Sequence, residues 1–272
     1  MHSIKKEDAK RIKALYAPHI DLRIGMKSYA QSFALLEELT PKRVVLLGTS
    51  HYASLYPDVY ADTPFIATRK TFQLPLGDVP ADQKILDDME QRQSELGISF
   101  NDRAHRTEHS LELHLILLRY LWKHSFEIVP VLVGSFNELF YKKDGYLAEK
   151  VDNFGRYLSK NFYDDDETLI LISGDLAHIG RKFGDHQPAQ KLFDEVKAFD
   201  DIFLQHAMRG DRSNMLDHIA QDNDPYRICG FPPLYSFLSG FNDLKGTSLT
   251  YNIWDETERD SAVSYGSVVY YR

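Results

Sequence analysis

Thr168-Leu169-Ile170-Leu171-Ile172-Ser173 is a continuous apolar run closed by a serine, and Gly174-Asp175-Leu176-Ala177-His178 follows it directly. A run of this kind is what a strand covered on both faces looks like, as in a sheet with helices packed on either side. Arg43-Val44-Val45-Leu46-Leu47-Gly48 and Ile128-Val129-Pro130-Val131-Leu132-Val133-Gly134 share its character. Pro130 lacks a ladder donor, which counts against a central place for the latter strand. Helical patterns lie between the runs, over Ser110 to His124, Leu147 to Leu158 and Ala189 to Arg209. Ser248 to Ile253 and Ala262 to Tyr270 read as two more strands, and residues 1–14 as an N-terminal helix or arm. The alternation predicts an α/β fold: one domain over residues 1–272, with a central, mostly parallel or mixed sheet and helices on both faces.

Composition narrows the function classes. The 272 residues carry 32 basic against 40 acidic side chains, a formal charge of −8 that repels phosphate backbones. No Lys/Arg stripe offsets it, so nucleic acid is not the expected partner. No apolar stretch reaches the ~20 residues of a membrane span, and no membrane association is expected. The first residues lack a signal peptide's apolar core, and the single cysteine, Cys229, suits a reducing cytoplasm. Eleven histidines beside one cysteine turn attention to metal chemistry.

Two of the three runs end in metal-capable residues, at Gly48-Thr49-Ser50-His51-Tyr52 and at Asp175 with His178. Ligands of open α/β sheets bind beyond the carboxyl ends of the strands. The plain alternative is that Asp175 caps a following helix and His51 is a loop residue. In Ala17-Pro18-His19-Ile20-Asp21 the proline favours extended structure, so His19 is expected just after a short strand. Cys229 precedes Gly230-Phe231-Pro232-Pro233, a helix start running to about Leu238. A thiol there is expected to have a lowered pKa and to offer a thiolate to a metal, the alternative being an inert buried cysteine.

Thr107-Glu108-His109-Ser110-Leu111-Glu112-Leu113-His114 superficially resembles a zinc-protease helix, but its spacing fails. His109 and His114 are five apart, about 140° around a helix, and do not chelate one ion from it. His109 and Glu112, at i and i+3, are expected to share a helical face, supporting the ligands or touching substrate; His114 joins them as a candidate. His186, His206 and His218 are expected at the surface. No dinucleotide fingerprint, Walker A loop or nucleophile elbow occurs.

Taken in order, Ala17-Pro18-His19, Gly48-Thr49-Ser50-His51, Glu108 to Leu115, Ile128 to Gly134, Ser173 to His178, Ile228-Cys229-Gly230 and Ser261 to Gly266 resemble the Memo family. The likeness covers residues 15 to 272. That family is similar in fold to the class III extradiol ring-cleavage dioxygenases, which hold non-haem iron by two histidines and a carboxylate. The resemblance implies metal ligands at His19, His51, Asp175 and Cys229, with His178 as an acid or base beside them. It also implies pathway partners of radical-SAM and Ammecr type, as in the bacterial and archaeal AmmeMemoRadiSam system. The sequence departs from the family at Ile20-Asp21-Leu22, at Tyr52 and at Ile179, all in the expected substrate pocket.

The leading expectation is a dioxygenase-like, metal-dependent oxidoreductase using non-haem Fe(II), with copper or zinc as alternatives, on a small molecule or peptide side chain. Two imidazoles and a carboxylate leave positions open on six-coordinate iron, and a thiolate adds softness. A zinc hydrolase with His178 as general base is the second expectation, although two histidines, an aspartate and a cysteine would fill a tetrahedral ion. The third is a non-enzymatic, peptide-binding or signalling protein using the same pocket.

Overall fold

The computed structural model describes residues 11–272. The strands are β1 (Ile12–Ala17), β2 (Arg43–Thr49), β3 (Phe65–Ala67), β4 (Ile98–Ser99), β5 (Glu127–Val133), β6 (Thr168–Ser173), β7 (His178–Gly180), β8 (Lys245–Glu256) and β9 (Ser261–Tyr271). The longer helices are α1 (Leu22–Phe33), α2 (Gln83–Gln91), α3 (Glu112–Leu121), α4 (Tyr146–Phe162), α5 (Phe193–Arg209), α6 (Arg212–Ala220) and α7 (Phe231–Leu238). Among the described residues none is long and apolar enough to cross a membrane.

The strands form one mixed sheet in the order β4-β3-β5-β2-β6-β1-β9-β7, with β8 on β9. Its centre, β5-β2-β6-β1, is parallel: Val45 of β2 pairs with Val129 and with Ile170, and Leu15 of β1 with Leu171. Antiparallel β3 and β9 flank it. Parallel pairing sends the carboxyl ends of all four central strands to one side of the molecule.

Alternation along the strands divides the core in two. Tyr16, Val45, Val129, Ile170 and Ile172 pack with Phe154 of α4, Phe203 of α5, Ile219 of α6 and Phe237 of α7. Leu15, Val44, Leu46, Leu169 and Leu171 pack on the opposite face with Tyr29 and Phe33 of α1 and with Leu115 and Leu118 of α3. Both faces are therefore covered, which is why these strands read as unbroken apolar runs. The architecture is a single α/β domain with helices on both faces.

Several expectations need correction. The N-terminal helix or arm over 1–14 lies mostly outside the described residues, and its last three residues belong to β1. Lys13 interrupts the apolar run there, yet it is buried, its Nζ donating to the carbonyls of Asp165 (2.6 Å) and Thr168 (3.2 Å). Pro130 does sit in an interior strand. Its neighbours of the same parity, Ile128 and Gly134, direct their N–H groups away from β2, to Pro80 and Pro64. The missing donor of Pro130 therefore falls on that side, where pairing with β3 has ended at Ala67–Val131. Helix α3 starts at Glu112, two residues later than expected, so His109 lies in the loop before it and shares no helical face with Glu112. Asp175 caps no helix, because extended chain and β7 follow it. His218 is buried, its ring tilted 4.0 Å from that of Phe199 and hydrogen-bonded through Nε2 to the Phe199 carbonyl.

Candidate metal centre

Each central strand delivers something at its carboxyl end. β1 leads through Pro18 to His19, β2 through Ser50 to His51, β5 to Gly134-Ser135, and β6 through Gly174 to Asp175. The ends are tied together. Asp175 Oδ1 accepts the backbone N–H groups of His19 (2.9 Å) and Ile20 (3.2 Å), joining β6 to β1. Thr49 Oγ1 donates to the Cys229 carbonyl at 2.6 Å, joining β2 to the turn before α7.

His19, His51 and His109 each present a ring nitrogen, and the three atoms lie within 4.8 Å of one another. His51 and His109 stack at 5.0 Å between centroids, with His19 edge-on to both. Hydrogen bonding sets which nitrogen is free. Ser173 Oγ donates to the Ser110 carbonyl (2.6 Å), so it accepts from His19 Nδ1–H (3.1 Å), leaving the lone pair on Nε2. His51 Nδ1 donates to Glu108 Oε1 at 2.9 Å, which likewise frees Nε2. Ring nitrogens held this way are how protein sites orient imidazoles toward a metal.

The His19 Nε2 atom is the centre of the arrangement. Cys229 Sγ stands 3.4 Å from it and Asp175 Oδ2 3.8 Å. Nitrogen ligands at about 2.1 Å from one ion are at most about 4.2 Å apart. The three imidazoles therefore need only a small contraction to share an ion, and the cluster can hold a metal.

The electrostatics favour neutral donors. Burial, and then the neighbouring imidazoles of His51 and His109, hold His19 well below the usual histidine range. His109 is lowered by burial and by His51. The thiol of Cys229 is pushed well up, by burial first and by Asp175 second, against the lowering expected from its place ahead of α7. Asp175 is itself raised to about 7 by burial. Both shifts favour a neutral thiol and a neutral ring over a thiolate–imidazolium pair.

His178 lies at the start of β7, its Nδ1 within reach of the carbonyls of Leu176 (3.0 Å) and Arg227 (3.1 Å). Nδ1 is therefore the protonated nitrogen and Nε2 the basic one. Burial lowers its pKa to about 4, so the ring is unprotonated at neutral pH. Beside His51 and Cys229 opens a cavity of about 290 Å³, whose lining includes the apolar Val133, Phe140, Ile228 and Phe231 and the polar Asn137 and Arg227. Gly134 and Ser135 form the rim shared with a second cavity of about 460 Å³ that reaches Tyr60 and Tyr146.

Thus the structure brings His19, His51 and His109 into one cluster, with Cys229 and Asp175 approaching His19 from its other side. It does not bring Glu112 or His114 to them. Glu112 is exposed at the start of α3, while His114 is fully buried against Phe33, with neither ring nitrogen hydrogen-bonded. Sequence reasoning missed Glu108, whose side chain is 1% exposed and bonded to His51. Its signal was a carboxylate directly preceding a candidate histidine.

Comparison with known proteins places the chain in a family. A family model described as Memo-like protein matches residues 1–269. A MEMO1 family protein of Aquifex aeolicus is 28% identical over 98% of this chain, which spans 66% of that relative's length. A MEMO1 family protein of Methanosarcina mazei is 24% identical over 93% of the chain and 83% of its own length. The MEMO1 protein of Xenopus tropicalis is 23% identical over 94% and 84%. Among solved structures, an uncharacterised protein of Escherichia coli K12 superposes with a TM-score of 0.55 over 95% of this chain and 99% of its own, at 17% identity, a likeness of fold.

Proposed function

The chain belongs to the Memo-like family, and from that premise and its histidine cluster we propose a metal-dependent oxidoreductase, dioxygenase-like, acting on a small molecule or peptide side chain. The observation that carries this is the three ring nitrogens of His19, His51 and His109 within 4.8 Å of one another, the first two just past the carboxyl ends of β1 and β2. His19 and His51 are the proposed core of the metal seat. His109 completes it from the half-exposed side, and Cys229 and Asp175 are the donors behind His19. Non-haem Fe(II) is the proposed ion, which when bound supplies Lewis acidity and one-electron chemistry with dioxygen.

The remaining work falls to the protein's own side chains. The cavity beside His51 receives the substrate, its apolar wall taking a ring-sized body and Asn137, Ser135 and Arg227 meeting a polar edge. Burial of His19, 2% exposed, keeps water away from the inner side of the site, while Cys229, half-buried, faces the cavity. His178, neutral and with Nε2 free, takes a proton from a substrate hydroxyl. A substrate that fills the cavity excludes bulk water and strengthens each of these polar contacts.

A second reading starts from the same three-histidine cluster, which forms without Cys229. Three imidazoles without a bound thiolate leave a fourth position open on zinc, the pattern of catalytic rather than structural sites. A hydrolase with His178 as base is then chemically consistent.

Anaerobic purification with elemental analysis, followed by oxygen uptake on the iron-loaded protein, separates the readings. About one iron per chain, lost in His51→Ala, together with oxygen consumption is the expected result. Stoichiometric zinc without oxygen uptake favours the hydrolase. No metal under any loading overturns both.

A further inference from the structure

The Glu108 carboxylate is surrounded by donors. Its Oε2 accepts the His51 backbone N–H at 2.8 Å. Its Oε1 accepts His51 Nδ1–H at 2.9 Å and the backbone N–H groups of His109 (3.0 Å) and Ser110 (3.2 Å). His109 Nδ1 lies 3.4 Å from the same oxygen. The three backbone N–H groups can only donate, so both oxygens act as acceptors, which suits an ionised carboxylate and leaves His51 Nδ1 to face Oε1 as N–H. The contacts join two segments 57 residues apart, the end of β2 and the loop ahead of α3.

From this convergence we infer that Glu108 is the positioning residue of the metal seat: it fixes His51 as the Nδ1–H tautomer and sets the His51 and His109 rings side by side with Nε2 forward. The inference rests on the metal reading above. The carboxylate also sets one negative charge behind rings that bring none, which favours a dication in front of them. A glutamine cannot do the same, because its amide offers one accepting oxygen and a donating NH₂. Whichever way it turns, NH₂ faces either the His51 backbone N–H or the three donors on the Oε1 side.

The test begins with metal-free wild-type protein carrying ¹⁵N-labelled histidine, in which long-range proton–nitrogen NMR reads each ring tautomer. The expected result is His51 protonated on Nδ1 alone. Zinc titration then compares wild type, Glu108→Gln and, as a control outside the cluster, Glu112→Gln. Glu108→Gln is expected to weaken zinc binding about 10- to 100-fold with an unchanged far-ultraviolet circular dichroism spectrum, and Glu112→Gln to match wild type. An Nε2–H tautomer of His51 in the wild type, or wild-type zinc affinity in Glu108→Gln, overturns the inference. Wild-type protein that binds no zinc defeats the metal reading instead, and the tautomer then decides the role of Glu108. It also decides should Glu108→Gln fail to fold.

Discussion

Gly174 and Gly230 touch backbone to backbone: a Cβ on Gly174 would stand 2.2 Å from the Gly230 Cα. The Gly230 N–H donates to the Asp175 carbonyl at 2.9 Å, so the turn carrying Cys229 is pinned to the end of β6. This contact is what lets the thiol reach within 3.4 Å of His19 Nε2.

Gly174→Ala is therefore expected to force the two segments apart, at a cost of about 1–3 kcal/mol, typical of overpacking. The same change should weaken metal binding by moving Cys229 away from His19. Gly134→Ala is the control, because its Cβ would meet only the Pro64 carbonyl at an ordinary 3.5 Å. Urea unfolding midpoints and zinc titrations check both, and equal midpoints for the two variants would contradict the argument.

The ligand set has its own prediction. His19 Nε2 is common to the imidazole cluster and to the Cys229–Asp175 side. His19→Ala and His51→Ala should abolish stoichiometric metal, whereas His109→Ala and Cys229→Ser, each removing a peripheral donor, should weaken it by about 10- to 100-fold. Competition titration with a chromophoric chelator measures this. His109→Ala at wild-type affinity would return the site to the Asp175–Cys229 side alone.

Much of this was legible in the sequence because burial on both faces leaves an unambiguous apolar run, as in β2, β5 and β6. β1 was only half legible: Pro18 pointed to a short strand before His19, but Lys13 breaks its pattern and is accommodated only by carbonyls more than 150 residues away in the chain. His19, His51, Asp175 and Cys229 could be picked out because each directly follows a strand or precedes a helix. His109 was half legible: its segment stood out, but a helical reading put it on a face with Glu112, and only the loop ahead of α3 turns it toward His51. Glu108 carried only the weak local signal of a carboxylate directly preceding His109, because the partner that gives it a role, His51, is 57 residues distant.

Asp200 of α5 gives a pH prediction far from the metal. It is fully buried, with Oδ2 accepting from Ser264 (2.6 Å) and Tyr251 (2.9 Å) while Oδ1 has no partner. Burial raises its pKa to about 7 from 3.8. The folded state thus keeps a proton that the unfolded chain has lost, and stability falls as pH rises from 3.8 to about 7. Asp200→Asn retains an acceptor for Ser264 and Tyr251 and should remove that slope, on the order of 2–4 kcal/mol across the window. Urea unfolding of both proteins from about pH 4 to about pH 8 tests it; parallel stability curves would refute it.

His114 carries the opposite sign. It is fully buried, stacked on Phe33 with 5.7 Å between centroids, and neither ring nitrogen finds a partner. Burial, and secondarily His109, lowers its pKa from 6.5 to about 3. Between those values the unfolded chain binds a proton that the folded protein refuses, so stability present above pH 6.5 is lost as pH falls toward 3. His114→Leu fills similar space without unpaired nitrogens. At neutral pH it should be neutral or stabilising by about 1 kcal/mol, since buried unsatisfied polar atoms are lost. Its advantage over wild type should then grow by a few kcal/mol on going to about pH 4. Zinc affinity should stay unchanged, because the ring points into the α1–α3 core rather than the cluster. Metal loss in His114→Leu at an unchanged unfolding midpoint would contradict that placement, and an unaltered acid limb would show that the ring finds a proton-accepting partner in solution.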